Sequence, residues 1–241
     1  MLHCLAVFVG KKRKIVLVTG GTGAIGSEIV RALGSDFSVV ANFARDEQRA
    51  AQLQRETPCD LHRADIGNEA EVEAMFAAWS EVWAVVHAAG IARNEILLRQ
   101  SNEMWQETLR VNATGSFLVT RAALNRLPHR GRLILLASRV GEWGSAGQCA
   151  YAASKAAVIA LAKTAAREGG ERHIAVNAVC PGLVPSVLTE TLGEDALQKF
   201  RSRSVFGELG LASHTASAVR WLLSAESEGV SGQVVHCDSR I

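Results

Sequence analysis

Long apolar runs are absent from this chain of 241 residues: its apolar start, Met1-Leu2-His3-Cys4-Leu5-Ala6-Val7-Phe8-Val9-Gly10, is far too short to span a bilayer. The basic run Lys11-Lys12-Arg13-Lys14 follows that start instead of preceding it, the reverse of a secretory signal, and no convincing small-residue cleavage site is present. The segment 1–13 is therefore read as an extension leading into the first strand, and no membrane partner is expected. Cysteine is scarce and scattered. Cys4, Cys59, Cys149, Cys180 and Cys237 form neither a Cys-x-x-Cys pair nor a His/Cys cluster, which speaks against a disulfide framework and against a zinc site. Reduced thiols in a cytoplasmic protein, with no metal, are the expectation. An excess of one charge is also lacking. A formal net charge of +2, without a basic stripe carrying interleaved aromatics, gives no field for a polyanion, so nucleic acid is not an expected partner. Internal repeats, low-complexity tracts and a linker between halves are missing too, and the length accommodates one large α/β domain over 14–241.

What is present is an alternation. Apolar strand-like runs at Ser38-Val39-Val40-Ala41, Val82-Trp83-Ala84-Val85-Val86, 133–137 and 174–179 are separated by alanine-rich helical stretches. That pattern predicts an α/β fold: a doubly wound, Rossmann-like parallel sheet with helices on both faces. The first strand, Lys14-Ile15-Val16-Leu17-Val18, runs into Thr19-Gly20-Gly21-Thr22-Gly23-Ala24-Ile25-Gly26, behind which Ser27-Glu28-Ile29-Val30-Arg31-Ala32-Leu33 has helical periodicity and stops at Gly34. Strand, glycine-rich turn and helix in that order make a pyrophosphate cradle, because glycines let the backbone approach and the helix N-terminus offers free N–H groups with partial positive charge.

A second pattern lies near the middle of the chain. Tyr151 and Lys155 are four residues apart, so on a helix they share one face, and an ammonium beneath a phenol favours the ionised phenol. Ser138 ends the apolar run Arg132-Leu133-Ile134-Leu135-Leu136-Ala137, where a strand carries its hydroxyl to the same sheet edge. Hydroxyl, phenol and ammonium are the groups that carbonyl reduction by a nicotinamide needs. Taken alone, the pair also fits a half-buried aromatic and a solvated lysine.

With the glycine turn, Asp65-Ile66, His87-Ala88-Ala89-Gly90, Val111-Asn112, Ser138, Tyr151 with Lys155, and Asn177-Ala178-Val179-Cys180-Pro181-Gly182, the chain from about Lys14 onward resembles the short-chain dehydrogenase/reductase family. Within it the 3-oxoacyl-[acyl-carrier-protein] reductases look most similar. The resemblance implies a catalytic tetrad of Asn112, Ser138, Tyr151 and Lys155. Tyr151 is the acid/base, Ser138 positions the carbonyl, Lys155 tunes the phenol and binds ribose, and Asn112 holds a water relaying protons. It also implies cofactor contacts at Gly20, Gly21, Thr22, Gly23, Ile25, Gly26, Asp65, Ile66, His87, Ala88, Gly90, Lys155 and Val184, and substrate contacts at Ser138, Gln148 and Tyr151. A lid over about 183–209, a role in fatty acid biosynthesis and a homotetramer through helices around 112–127 and 151–168 are implied as well. Arg130, Arg132, Arg167 and Arg172 are candidates for meeting an acidic carrier protein, beside the plainer reading of solvated charge.

Three departures stand out. Ala24 occupies a usual glycine position, His87 replaces a usual asparagine as either a ribose contact or a buried structural histidine, and the tail after Gly232 lacks the usual glycine pair. Cofactor choice rests on the end of the second strand, Ala41-Asn42-Phe43-Ala44-Arg45-Asp46, where an acid would bind the ribose of NAD. Asn42 stands there instead, and Arg45 is close enough to meet a 2′-phosphate, which favours NADP; alternatively Arg45 pairs with Asp46 or Glu47. Asp65 is an adenine-edge contact by resemblance and a helix N-cap by bare sequence. The leading expectation is NADPH-dependent reduction of a 3-oxoacyl thioester. A short-chain enzyme for a polyketide, sugar, steroid or small alcohol, and a non-catalytic nucleotide-binding subunit, are the alternatives.

Overall fold

The computed structural model describes residues 13–79, 81–185 and 193–239. Seven strands form one sheet: β1 (Ile15–Thr19), β2 (Ser38–Phe43), β3 (Cys59–Arg63), β4 (Val82–His87), β5 (Arg132–Leu136), β6 (Ala175–Pro181) and β7 (Val234–Cys237). Their order is β3-β2-β1-β4-β5-β6-β7 and every pairing is parallel. The helices are α1 (Ala24–Leu33), α2 (Glu47–Glu56), α3 (Glu69–Ala78), α4 (Asn102–Leu109), α5 (Gly115–Arg126), α6 (Val140–Trp143), α7 (Cys149–Glu168), α8 (Glu194–Ser202) and α9 (Ala212–Leu222). A π-helical turn, Arg110–Thr114, joins α4 to α5. None of the described helices is long and apolar enough to cross a membrane.

Period-two alternation sorts each central strand between two cores. Leu17, Leu133 and Leu135 face one layer, packed by Phe76 of α3, Val119 of α5 and Val158 of α7. Val16, Ile134 and Leu136 face the other, packed by Ile29 of α1 and Val219 and Leu222 of α9. Because both faces are covered, these strands read as continuous apolar runs. The fold is thus the expected Rossmann-like doubly wound sheet.

Side-chain capping explains three of the helix starts. Asp46, Asn68 and Ser101 cap α2, α3 and α4 by accepting from backbone N–H groups of Arg49, Ala70 and Met104. Asn68, and not Asp65, is therefore the cap of α3. By contrast, α1 begins inside the glycine turn at Ala24, earlier than the predicted Ser27, and Gly23 offers it no side-chain cap. Along α7, Ala153, Ala156, Ala157 and Ala160 are exposed and Ala152 is half-buried, whereas Ala165 packs into the chain's own core. The segment 1–13 lies outside the described residues except for Arg13, which donates to Gly34. Within the lid span, 186–192 lie outside them too.

A buried polar thread ties β1, β4 and α5 together. Thr19 Oγ1 lies 2.7 Å from His87 Nδ1, and His87 Nε2 lies 2.9 Å from Ser116 Oγ. Ser116 in turn donates to the Asn112 carbonyl at 2.5 Å. With that proton committed, Ser116 accepts from Nε2–H and Thr19 donates to Nδ1, which assigns the neutral tautomer. Burial, with a smaller contribution from the Lys155 ammonium, pushes the His87 pKa from 6.5 down to about 3. Between those values the unfolded chain takes up a proton that the folded one refuses. Stability is therefore fully present above pH 6.5 and is lost as pH falls toward 3, by about 1.4 kcal/mol per pH unit. Urea unfolding at a series of pH values from neutral down to mildly acidic checks this: His87→Asn is expected to remove close to one proton from the slope, and an unchanged slope contradicts the assignment.

Candidate active site

The turn after β1 is shaped by close backbone approach. Gly20 has φ +64°, and a Cβ there would lie 2.6 Å from the Ala89 backbone; at Gly26 it would lie 2.1 Å from the Gly20 carbonyl. Ala24, by contrast, is exposed at the first position of α1, so its methyl meets no such obstacle. The uncapped N-terminus of α1 opens onto a cleft of about 940 Å³ at the carboxyl edge of the sheet, where the chain departs to opposite sides of β1 and β4. Gly20, Thr22, Gly23, Ile25, Gly26, Arg45, Asp65, Ile66, Ala88 and Gly90 all line it. Its size, its glycine floor and its free helix N–H groups fit a dinucleotide.

Seven predicted contacts do not line it, Ser138, Tyr151 and Lys155 among them. Gly21 backs onto β2, where a Cβ would meet Ala41 at 2.8 Å. His87 lies beneath the floor with both ring nitrogens engaged, so the buried structural role describes its imidazole and no ring nitrogen is left for a ribose. Val184 is buried beyond Gly182, off the cleft wall. Gln148 donates to Asn94 Oδ1 at 3.2 Å and links the loop after β4 to the start of α7.

The acidic-position residue, Asn42, is also turned inward. Its amide donates to the carbonyls of His62 and Ala64, and its oxygen accepts from Gly20 N–H at 3.4 Å, which staples the turn to β2 and β3. Arg45 stands exposed on the cleft rim. The partners considered for it are taken: Asp46 pairs with Arg49 at 3.3 Å and Glu47 with Arg63 at 2.8 Å. Asp65 accepts from Gly67 N–H and pairs with Arg110 at 3.0 Å.

Behind Gly90 on the cleft wall, the end of β5 and α7 bring Ser138, Tyr151 and Lys155 together. Tyr151 is half-buried, and desolvation raises its phenol above the ordinary value while a hydrogen bond from Ser138 pulls it the other way. Lys155 is buried, donates to the Leu136 carbonyl at 2.7 Å and sits 5.7 Å from the Tyr151 ring centroid. Burial lowers its pKa to about 8. Desolvation thus leads at the phenol, while the ammonium is turned to the Leu136 carbonyl. Cys180 on β6 stays a neutral thiol, pushed up to about 12 by burial.

Asn112 occupies the π-helical turn, a backbone irregularity that recurs at functional sites. Its amide clasps the Ile91 backbone in both directions at 2.8 Å and donates to Ser154 Oγ at 3.1 Å. A Cβ on Gly90 would lie 3.2 Å from Asn112 Oδ1 and 3.5 Å from Lys155 Nζ, which places the amide and the ammonium around one point. Among the basic residues weighed for a carrier protein, Arg132 is buried, Arg130 pairs with Glu228, and Arg172 donates to the carbonyls of Leu124 and Leu127. Arg167 remains exposed. Sequence reading missed the Arg139–Asp238 ion pair beside Ser138, because nothing in either local sequence marks the other.

A family model described as Enoyl-(Acyl carrier protein) reductase matches residues 21–239. The 3-oxoacyl-[acyl-carrier-protein] reductase FabG of Aquifex aeolicus is 33% identical over 236 residues, covering 92% of this chain and 95% of that protein. The FabG of Escherichia coli is 32% identical over 231 residues with the same coverage of 92% and 95%. A (3R)-3-hydroxyacyl-CoA dehydrogenase of Canis lupus familiaris is 34% identical over 241 residues, covering 92% and 93%. With a serine, a tyrosine and a lysine gathered beside Gly90 of a cleft that fits a dinucleotide and these relatives spanning nearly its whole length, the chain belongs to the short-chain dehydrogenase/reductase family, oxidoreductases of CH–OH and C=O groups.

Proposed function

We propose that this chain is an NADPH-dependent reductase of 3-oxoacyl thioesters. The observation that carries the reading is the convergence of Ser138, Tyr151 and Lys155 beside Gly90, on the wall of a cleft whose rim displays Arg45. The names of the relatives, acyl-carrier-protein reductases and a hydroxyacyl-CoA dehydrogenase, support the thioester class. The glycine turn and the α1 N-terminus hold a pyrophosphate, and Arg45 takes the 2′-phosphate. A bound nicotinamide supplies hydride to the carbonyl carbon. Ser138 orients the carbonyl oxygen, and Tyr151 transfers its proton to that oxygen. Because burial raises the phenol pKa, Tyr151 holds this proton at neutral pH, as a donor in the reductive direction must. Lys155, with its pKa near 8, stands ready to hydrogen-bond ribose and to restore charge balance as the phenol ionises. The exposed alanine stripe of α7 and the α5 surface carrying Phe117 support a homotetramer as the working assembly.

Oxidation of reduced nicotinamide, followed with acetoacetyl and longer 3-oxoacyl thioesters, tests the reading directly; turnover of simple ketones or sugars without thioesters overturns it. Tyr151→Phe is expected to lower kcat by about 10²–10⁴-fold while cofactor binding persists. Cofactor titrations are expected to show tighter binding of NADPH than NADH, and Arg45→Ala to narrow that gap by about one to two decades. Equal native affinities refute the Arg45 role. Light scattering over a dilution series is expected to show activity falling with dissociation, and a fully active monomer contradicts the assembly.

A further inference from the structure

Ser138 does not lie in β5; it begins a short segment, 138–143, that contains the single turn of α6. A hydroxyl on so short a segment is only as well placed as the segment itself. Two internal bonds shape it: Val140 N–H donates to Ser138 Oγ at 3.2 Å, and Gly141 N–H to the Ser138 carbonyl at 2.9 Å. On one side Gly141 rests on α7, where a Cβ would lie 2.6 Å from Ala156 N. On the other side the segment meets β7 through charge. Arg139 Nε lies 2.9 Å from Asp238 Oδ1, with side-chain exposures of only 12% and 5%. The guanidinium also stands 4.6 Å from the Trp143 ring centroid. One turn further on, Glu142 Oε2 lies 2.9 Å from His236 Nε2.

Resting on the reading of Ser138 and Tyr151 as the reducing pair, we propose that Arg139 and Asp238 are positioning residues: their buried ion pair anchors the Ser138 segment to the end of β7 and holds the hydroxyl against the phenol. Stability alone is a poor reason for such a pair, since well-packed apolar residues in its place are commonly as stable or more so. Here Arg139 Nε and Nη1 make no well-aligned hydrogen bond among the described residues, so attraction to Asp238 and stacking on Trp143 are what locate the guanidinium. Asp238 itself lies directly beyond the last residue of β7 and presses on the loop after β6, where a Cβ on Gly182 would be 2.9 Å from its own Cβ. The brace therefore joins the serine segment to the two strands that close this edge of the sheet. Misplacing Ser138 leaves the dinucleotide cleft intact, because neither Arg139 nor Asp238 lines it.

The test uses the full chain and three variants: Asp238→Asn, Arg139→Lys and the doubly apolar Arg139→Met with Asp238→Leu. Each is measured for kcat, KM, NADPH affinity, thermal midpoint and hydrogen exchange of the peptide covering 138–143. Asp238→Asn is expected to lose about 10²-fold in kcat, the scale of a displaced catalytic group, with faster exchange in that peptide and unchanged NADPH affinity. Arg139→Lys keeps the charge and is expected to recover part of kcat. The double variant guards against mere unfolding: a thermal midpoint at or above wild type, together with a kcat as low as that of Asp238→Asn, supports positioning. A stable double variant with wild-type kcat overturns the proposal, as does a kcat loss without faster exchange at 138–143. If the wild type reduces other carbonyls but no 3-oxoacyl thioester, the substrate reading fails by itself, and the same variants are compared on the carbonyl it does reduce.

Discussion

Between Gly20 and Ala89 there is no room for a side chain, and the rest of the site is arranged around that contact. Closing the turn onto the end of β4 brings α1 in with its N-terminus uncapped and leaves a cleft between the β1 and β4 exits. Asn42 locks the arrangement from below by bonding the turn to β2 and β3, and His87 locks it from the β4 side through Thr19 and Ser116. Each of these groups is buried with its polar atoms satisfied, which makes the cradle rigid before any ligand arrives. The same thread reaches Asn112 and, through it, the Ile91 backbone, next in the chain to Gly90, which faces Lys155. Floor and catalytic end are therefore one connected polar structure.

The central strands were legible because a strand covered on both faces shows its burial as an uninterrupted apolar run, as in Leu133-Ile134-Leu135-Leu136. β3 was less legible. It lies at the sheet edge, half-exposed, and Cys59-Asp60-Leu61-His62-Arg63 carries too little apolar pattern to set its limits. Helix spacing revealed the Tyr151/Lys155 face, and the glycine turn announced itself through its flanks. What sequence could not show were choices made by tertiary contact. Lys155 turned to the Leu136 carbonyl, Asn42 pointed under the floor, and Asp65 found Arg110 across the cleft wall. Of the four arginines weighed for a carrier protein, three likewise have partners within the chain that their local sequence does not mark.

Electrostatics give the site a direction. Burial works against charge on three groups here: the phenol is raised, the ammonium lowered to about 8, and the Cys180 thiol raised to about 12. His87, held down near 3, adds no positive charge beneath them at neutral pH. The resting site therefore keeps a proton on its phenol, while the hydrogen bond from Ser138 stabilises the phenolate that forms when the proton leaves. A proton donor of this kind matches reduction of a carbonyl, where negative charge develops on oxygen and must be quenched.

Tyr151 is the only tyrosine in the chain, so its ionisation is directly observable. An ultraviolet difference titration of the cofactor-free protein, with Tyr151→Phe as the blank, reads the Tyr151 tyrosinate and nothing else. The account expects no tyrosinate through the neutral range and a midpoint above the ordinary value of 10.0. A midpoint near neutrality contradicts it, since the Lys155 charge would then outweigh burial and the resting site would hold a base in place of an acid.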